Sequence, residues 1–230
     1  LADTPGLTAQ LLWGQFYEAV SDYPAALAAM ERAAQAARAA GDTPGLIRVL
    51  GRTGLIHWRQ GNYAEAGAVY GQALALLAGS SDWAAEEAEI RYGLGVLHRQ
   101  QGKFAEAQAE LEKTLALVRG LENRPEEAKT LAALATVAHL HRRDYDAALA
   151  YNQQALEIRR AIGDRAGEGS SLLAVGQTAR ALGRYDEALT LLQAAIAIQL
   201  SLGNRYWELV ARIEVGIVYM LVGDAASSES

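Results

Sequence analysis

Cysteine is missing from this 230-residue chain. That excludes a disulfide scaffold, a thiolate zinc site and a cysteine nucleophile. Proline is scarce, at four residues, and runs of β-branched residues are few. Beside abundant alanine, this balance favours helix. No apolar run approaches the roughly 18 residues of a spanning helix. Residues 1–20 lack the charged start and apolar core of a secretion signal, so the expected location is cytoplasmic. There is no excess of positive charge either. The net charge is -6, which argues against broad electrostatic binding of nucleic acid or an anionic membrane. No phosphate loop of the Gly-x-x-x-x-Gly-Lys-Ser/Thr kind occurs; the closely spaced glycines from Gly163 to Gly169 follow no strand, so no nucleotide cofactor is expected. What remains is an ordinary folded composition, 51% hydrophobic and 21% charged.

The chain repeats itself. Short aromatic-centred motifs recur: Asp22-Tyr23-Pro24-Ala25-Ala26, Asn62-Tyr63-Ala64-Glu65-Ala66, Lys103-Phe104-Ala105-Glu106-Ala107, Asp144-Tyr145-Asp146-Ala147-Ala148 and Arg184-Tyr185-Asp186-Glu187-Ala188. Their aromatic residues are 40, 41, 41 and 40 positions apart. Nine positions before each stands a small residue: Gly14, Gly54, Gly95, Thr136 and Gly176. Gly216 continues the series, but Ala225 stands where the next aromatic belongs. A fixed period of this size is the mark of a repeat architecture.

Each unit reads as two helices. Leu172, Leu173, Val175, Ala179 and Leu182 lie at helical spacing before one aromatic, and Ala188, Leu191, Leu192, Ala195 and Ile198 after it. Gly61, Gly102 and Gly183 are placed to end the first helix of a pair, and Gly41, Gly163 and Gly203 the second. The Asp or Asn that follows, such as Asp42, Asn123 or Asp164, is placed to cap the next helix, and Pro44 and Pro125 fit a first turn. The pattern predicts helices over 5–20, 23–40, 44–60, 63–78, 83–101, 104–119, 125–142, 145–161, 166–182, 185–202 and 206–222. The small residues let paired helices approach, with Ala26, Ala66, Ala107, Ala148 and Ala188 on the facing side. Neither helix buries its stripe alone, so neighbouring pairs must stack.

These residues resemble the tetratricopeptide repeat family, whose pattern is a large residue, Leu-Gly, an aromatic three on, then Ala, an aromatic four later, and Pro, with a period of about 34; the longer period and the missing terminal Pro are departures from it. Gly14 with Tyr17, Ala26 and Met30, Gly54 with Ala66 and Tyr70, and Val215-Gly216 with Tyr219 carry the likeness. The 40–41-residue period is similar to the long-repeat subclass of Pins-like adaptors, kinesin light chains and bacterial signalling regulators. The resemblance implies an all-α fold, a right-handed α-solenoid of antiparallel helix pairs. A single array is expected over 1–224, with repeats at about 5–40, 44–78, 83–120, 125–161 and 166–202, a terminal helix at 206–222 and a polar tail at 225–230. It implies a non-catalytic interaction module, the sensor or scaffold part of a larger bacterial signalling protein. Such a module binds a peptide segment, or its own effector domain, in a concave groove lined by the first helix of each pair.

Carried over position by position, the groove residues are Arg48, Leu55, Trp58, Arg59, Glu89, Tyr92, Val96, Arg99, Gln100, Val137, His141, Gln177 and Arg180. Further inward positions are Leu11, Gln15, Glu18, Thr130, Leu140, Leu173, Val210, Ile213, Ile217 and Met220. Trp58 and Tyr92 are rigid amphipathic anchors. Arg59, Arg99 and Arg180 can hold carboxylates by paired hydrogen bonds. The expected partner is therefore an acidic and apolar segment. The opposing reading has the two aromatics packing between neighbouring helices and the arginines pairing with groove glutamates such as Glu89. The Asn and Arg positions through which the Pins-like group binds its partners, and the clamp of heat-shock adaptors, are not reproduced, so no partner identity carries over.

Other chemistry is set aside. His57, His98 and His139 share one repeat position, but neighbouring helices lie about 8–10 Å apart, so three cannot share an ion; they read as packing residues. Paired Glu86 and Glu87, and Glu126 and Glu127, sit in first turns, where they complement the helix dipole. The alternative function is a receptor enclosing a small molecule or short signalling peptide in the groove. Asp3-Thr4-Pro5-Gly6-Leu7 recurs as Asp42-Thr43-Pro44-Gly45-Leu46, so the chain is expected to be a piece of a longer protein. Val215, Tyr219 and Val222 would face a partner helix that does not follow, which leads to an expectation of self-association through 206–222.

Overall fold

The computed structural model describes residues 6–78 and 82–228. The expected linker residues Asp3 to Pro5, where the first helix was placed to start, and the last two residues of the polar tail lie outside them. Helices account for all the regular structure among the described residues. They fall into two compact units.

The first unit, residues 1–121, holds α1 (Leu7–Ala19), α2 (Tyr23–Ala40), α3 (Thr43–Arg59), α4 (Tyr63–Leu77), α5 (Ala84–Gln100) and α6 (Phe104–Gly120). The hairpins α1–α2, α3–α4 and α5–α6 pack internally, and α1, α3 and α5 pack in succession as one layer. Two buried clusters are described within it. Leu7, Met30, Val49 and Ile56 anchor one, and Ile47, Tyr70, Ile90 and Leu97 the other.

The second unit, residues 122–230, holds α7 (Arg124–Arg142), α8 (Tyr145–Ala161), α9 (Arg165–Ala181), α10 (Tyr185–Ser201) and α11 (Arg205–Ser228). Here α7–α8 and α9–α10 are the hairpins, α10 packs on α11, and α9 touches α11. Its core runs through Leu149, Leu172, Val175, Leu192, Ile198 and Val218. The final helix extends to Ser228, past the expected end at 222, so the expected tail begins inside it.

Local chemistry sets the helix ends. Asp42, Asn123 and Asp164 accept from the backbone N–H of Gly45 at 2.8 Å, Glu126 at 3.3 Å and Gly167 at 2.8 Å. Each satisfies one of the donors a helix start leaves unpaired. Asp22 and Asp144 do the same for α2 and α8. The starts of α1, α4, α5, α6 and α10 have no side-chain cap bond, and the N-cap of α5 is Trp83. All six glycines expected at helix ends take positive φ. Where the repeat lacks such a glycine, Ser21, Glu122 and Arg143 are held at φ 61, 53 and 51, a conformation that crowds an L side chain.

The seam inside each hairpin has one geometry in four repeats. A Cβ added to Gly54 would lie 2.5 Å from the Tyr70 ring, at Gly95 2.7 Å from Leu111 Cγ, and at Gly176 2.9 Å from Leu192 Cγ; Gly14 faces Met30 in the same way. A large side chain on the second helix thus occupies the place of the missing Cβ on the first. The facing alanines Ala26, Ala66, Ala107, Ala148 and Ala188 are wholly buried. Gly216 differs from the close approach expected of it, because nothing lies within 4 Å of the position its Cβ would take.

Candidate functional site

In the first unit the layer of α1, α3 and α5 carries most of the expected groove residues. Arg48, Arg59, Glu89 and Gln100 are exposed, and Leu55, Trp58, Tyr92, Val96 and Arg99 are half-buried. Arg59 Nε reaches Glu18 Oε1 at 3.2 Å across α1 and α3. Glu18 is buried, so this guanidinium is committed to its own chain. Trp58 packs on the cluster of Ile47, Tyr70, Ile90 and Leu97, and its indole N–H is buried without a hydrogen-bond partner. Beneath it the Tyr70 phenol is pushed well above its ordinary pKa, by burial first and then by the Glu89 and Glu18 carboxylates. It stays neutral at any physiological pH. Among the described residues Arg48 and Arg99 form no ion pair. They are the cations this face holds out to solvent beside Leu55, Tyr92 and Val96.

On the other side of the same unit, Arg91 joins α5 to α6. It donates to Glu87 Oε1 at 2.6 Å and to Glu110 Oε2 at 2.7 Å, and Lys113 Nζ also donates to Glu110 at 2.7 Å. Burial works to raise the Glu110 pKa, but these bonds and the two cations outweigh it and hold the group below its usual range. This network is structural bracing, not part of the face.

The second unit treats its expected residues differently. Gln177 Nε2 donates to Glu214 Oε1 at 2.9 Å and Arg180 Nε to Glu214 Oε2 at 3.0 Å. The carboxylate that Arg180 was expected to take from a partner is supplied by α11. Val137 has 1% of its surface exposed and presents nothing to a ligand; the expectation for it fails because its side chain turns into the core. His141 is exposed. Of the further inward positions, Thr130 and Leu173 are buried, while Leu140, Ile213 and Met220 are exposed. The opposing reading of the arginines therefore holds for Arg59 and Arg180, with Glu18 and Glu214 as partners rather than Glu89.

The histidine series takes up packing places. His139 lies edge-on to Tyr145, 5.0 Å between centroids, and the Nδ1 atoms of His57 and His98 are buried with no partner. No group of three or more His, Asp or Glu side chains gathers as metal ligands among the described residues. No helix among them is long and apolar enough to cross a membrane.

Sequence reasoning passed over one feature of the second unit. A cavity of about 320 Å³ lies among α7, α8 and α9, lined by Thr136, His139, Asn152, Arg159, Ser171 and Gln177 together with small apolar residues. Its signal is present in the repeat alignment. Thr136 stands at the glycine position, and Asn152 at the position held elsewhere by Met30, Tyr70, Leu111 and Leu192.

A helical-hairpin repeat with a knob-and-glycine seam defines an architecture built to display one face of its first helices. Tetratricopeptide repeat models match residues 7–78 and 86–161, and a second such model matches 169–208; the chain belongs to the tetratricopeptide repeat family. No curated protein matches it. Among solved structures it is similar to BtubC (BKLC) from P. vanneervenii, with 21% identity, 88% of this chain and 85% of that one covered, and a TM-score of 0.75. It is also similar to a Signal Transduction ATPase with Numerous Domains (STAND) protein with a tetratricopeptide repeat sensor from Pyrococcus horikoshii. There the identity is 15%, the TM-score 0.84, and the match covers 93% of this chain but 32% of that one. The chain thus spans about a third of the STAND protein. A putative kinesin light chain from Podosopora anserina with nearly identical repeats shares 18% identity over 88% of this chain and 99% of its own, with a TM-score of 0.71. At these identities the likenesses establish the fold.

Proposed function

We propose that the chain is a non-catalytic interaction module that docks an acidic and apolar peptide segment, or an effector domain of its own parent protein, on the α1, α3 and α5 face. The observation that carries this reading is the pairing of Arg48 and Arg99, which make no ion pair among the described residues, with half-buried Leu55, Tyr92 and Val96 on the same face. Arginine presents a planar fork that suits carboxylates, and half-buried aromatics supply area at small entropic loss. Arg59 takes a supporting part, since its guanidinium already holds Glu18, while Gln177 and Arg180 of the second unit hold Glu214. The STAND neighbour carries its repeats as a sensor, which supports a sensor role for this chain within a longer signalling protein.

Selection of peptides from a random displayed library tests the proposal. Enriched peptides should carry Asp or Glu beside Leu, Ile or Phe. Arg48→Glu with Arg99→Glu should weaken their binding about 100-fold, as loss of two charge-assisted contacts implies. Enrichment of basic peptides, or unchanged affinity in that variant, rejects the proposal.

Self-association through α11 is a second proposal. Tyr206, Leu209, Ile213, Tyr219 and Met220 are more than half exposed on that helix, a larger apolar area than scattered surface residues make. Sedimentation should show mass rising with concentration and reverting in Ile213→Glu; a constant monomer mass refutes it.

A further inference from the structure

From the paired departure at Thr136 and Asn152 we infer that the fourth hairpin holds a binding site for a small organic carboxylate, separate from the peptide face. In the neighbouring repeat, Leu192 fills the seam against Gly176. In this one Thr136 adds a side chain on α7 and Asn152 withdraws one on α8. Volume is thereby moved rather than conserved, and a cavity of about 320 Å³ opens between α7 and α9. That is the lower end of the roughly 300–1,000 Å³ of small-molecule sites.

The lining mixes polar side chains and one arginine with alanine and leucine. Asn152 is 6% exposed, lines the cavity, and makes no hydrogen bond among the described residues. Arg159 brings the one cation of the lining, and no carboxylate lines it. Its Nη1 donates to Ser171 Oγ at 2.7 Å and to the Gly167 carbonyl at 3.1 Å. Because Ser171 Oγ accepts from the guanidinium, its own proton is directed elsewhere, as a donor. Asp164 lies 4.0 Å from Arg159, but one of its oxygens caps α9 through Gly167 N–H. Thr136 and Thr178 spend their protons on the Ala132 and Ala174 carbonyls. The donors at hand are thus Asn152, Ser171 and the charge of Arg159, and His139, Ser170 and Gln177 complete the lining with alanines and Leu140. Donors, one cation and apolar side chains in one cavity match a carboxylate on a short apolar body.

The site stands or falls independently of the peptide face, since Arg48 and Arg99 belong to the other unit. The test uses benzoate, benzamide and benzylammonium as probes on the 230-residue chain, read by the side-chain amide signals of Asn152 in nitrogen-15 NMR and by calorimetry. Benzoate should shift those signals with a Kd of about 1 mM or tighter, the range open to so few heavy atoms. Benzamide should bind about tenfold more weakly, and benzylammonium not at all. T136G/N152L, which restores the pairing of Gly176 and Leu192, should abolish binding while keeping a melting temperature at or above that of the parent. Ser171→Ala leaves the seam intact and should weaken benzoate about fivefold to tenfold. Three results overturn the inference: no shift of the Asn152 signals up to about 20 mM benzoate, equal binding of benzoate and benzamide, or full binding retained in Ser171→Ala and T136G/N152L together.

Discussion

The fourth and fifth hairpins share a unit, a period and a topology, yet their seams are built in opposite ways. In the fifth, Gly176 leaves a hole and Leu192 fills it, with the Ala188 carbonyl 3.4 Å from where a Cβ would sit. In the fourth, Thr136 and Asn152 divide the same space between two small polar side chains and leave a cavity. The difference teaches that the repeat fixes the distance between its two helices through several contacts at once. The wholly buried alanines Ala148 and Ala188 hold both pairs close whatever fills the seam. One position is then free to trade packing for polarity.

The sharpest way to break the comparison is to put a branched residue at both glycine-register positions. Gly176→Val should destabilise the chain by about 3 kcal/mol, since the new atoms meet both a packed leucine and a backbone carbonyl. Thr136→Val, which loses the bond to the Ala132 carbonyl but keeps the volume, should change stability by less than about 1 kcal/mol. Urea unfolding followed by far-UV circular dichroism reads both; similar losses at the two sites would show the seams to be equivalent.

A second experiment converts one seam into the other. Asn152→Leu alone overfills the space beside Thr136 and should lose about 1–2 kcal/mol. Combined with Thr136→Gly it should recover all of that loss, giving a favourable coupling of about 1–2 kcal/mol in a double-mutant cycle. Strict additivity would mean that the two departures are unrelated.

Helices α8 and α9 are also tied by charge. Glu168 on α9 accepts from Arg160 of α8 at 2.9 Å and from Arg165 at 2.5 Å. The Arg160 bond first, and Arg165 after it, hold its carboxyl below the usual range despite desolvation. A carboxyl with a depressed folded pKa stabilises above its unfolded value, about 4.3, and that stabilisation disappears as pH falls through the lower folded pKa. Melting temperature should therefore drop between about pH 5 and pH 3, and by less in Glu168→Gln. An equal drop in that variant would move the acid sensitivity elsewhere, with Glu110 the next candidate.

The smallest effect concerns the turns. Three hairpins turn on Gly61, Gly102 and Gly183, whereas the fourth turns on Arg143 at φ 51. Arg143→Gly should stabilise by about 0.5 kcal/mol, the relief of side-chain crowding less the entropy gained by the unfolded chain. A loss in the thermal melt would mean that the arginine side chain contributes more than the strain removes.

Much of the fold could be read from the residues alone. The period placed the second helix of the first hairpin at 23–40, where α2 runs Tyr23–Ala40, and it singled out Asp42, Asn123 and Asp164 as caps. These features are local, set by one residue's reach to its own backbone. The candidate site was less legible. Arg59 and Arg180 looked available because sequence spacing gives a residue's face but not which carboxylate on the next repeat reaches it. Glu18 and Glu214 do so from opposite directions along the chain. Val137 shows the same limit, since one position near the boundary of a helical stripe turns inward or outward with a modest rotation of the helix. The cavity needed two departures to be read together. Thr136 was visible as an irregular mark, but Asn152 gains meaning only once it is known to face it.

Tyr70 lies against two glycines that belong to different repeats. A Cβ on Gly54 would sit 2.5 Å from its ring, and one on Gly93 2.6 Å. Its socket is consequently half-owned by the hairpin downstream. An ancestral duplication or deletion with its junction anywhere between Tyr70 and Gly93 would have parted the ring from one of its two seats. At that boundary, copy number can change without repair only if the junction falls outside the stretch from Gly54 to Gly93.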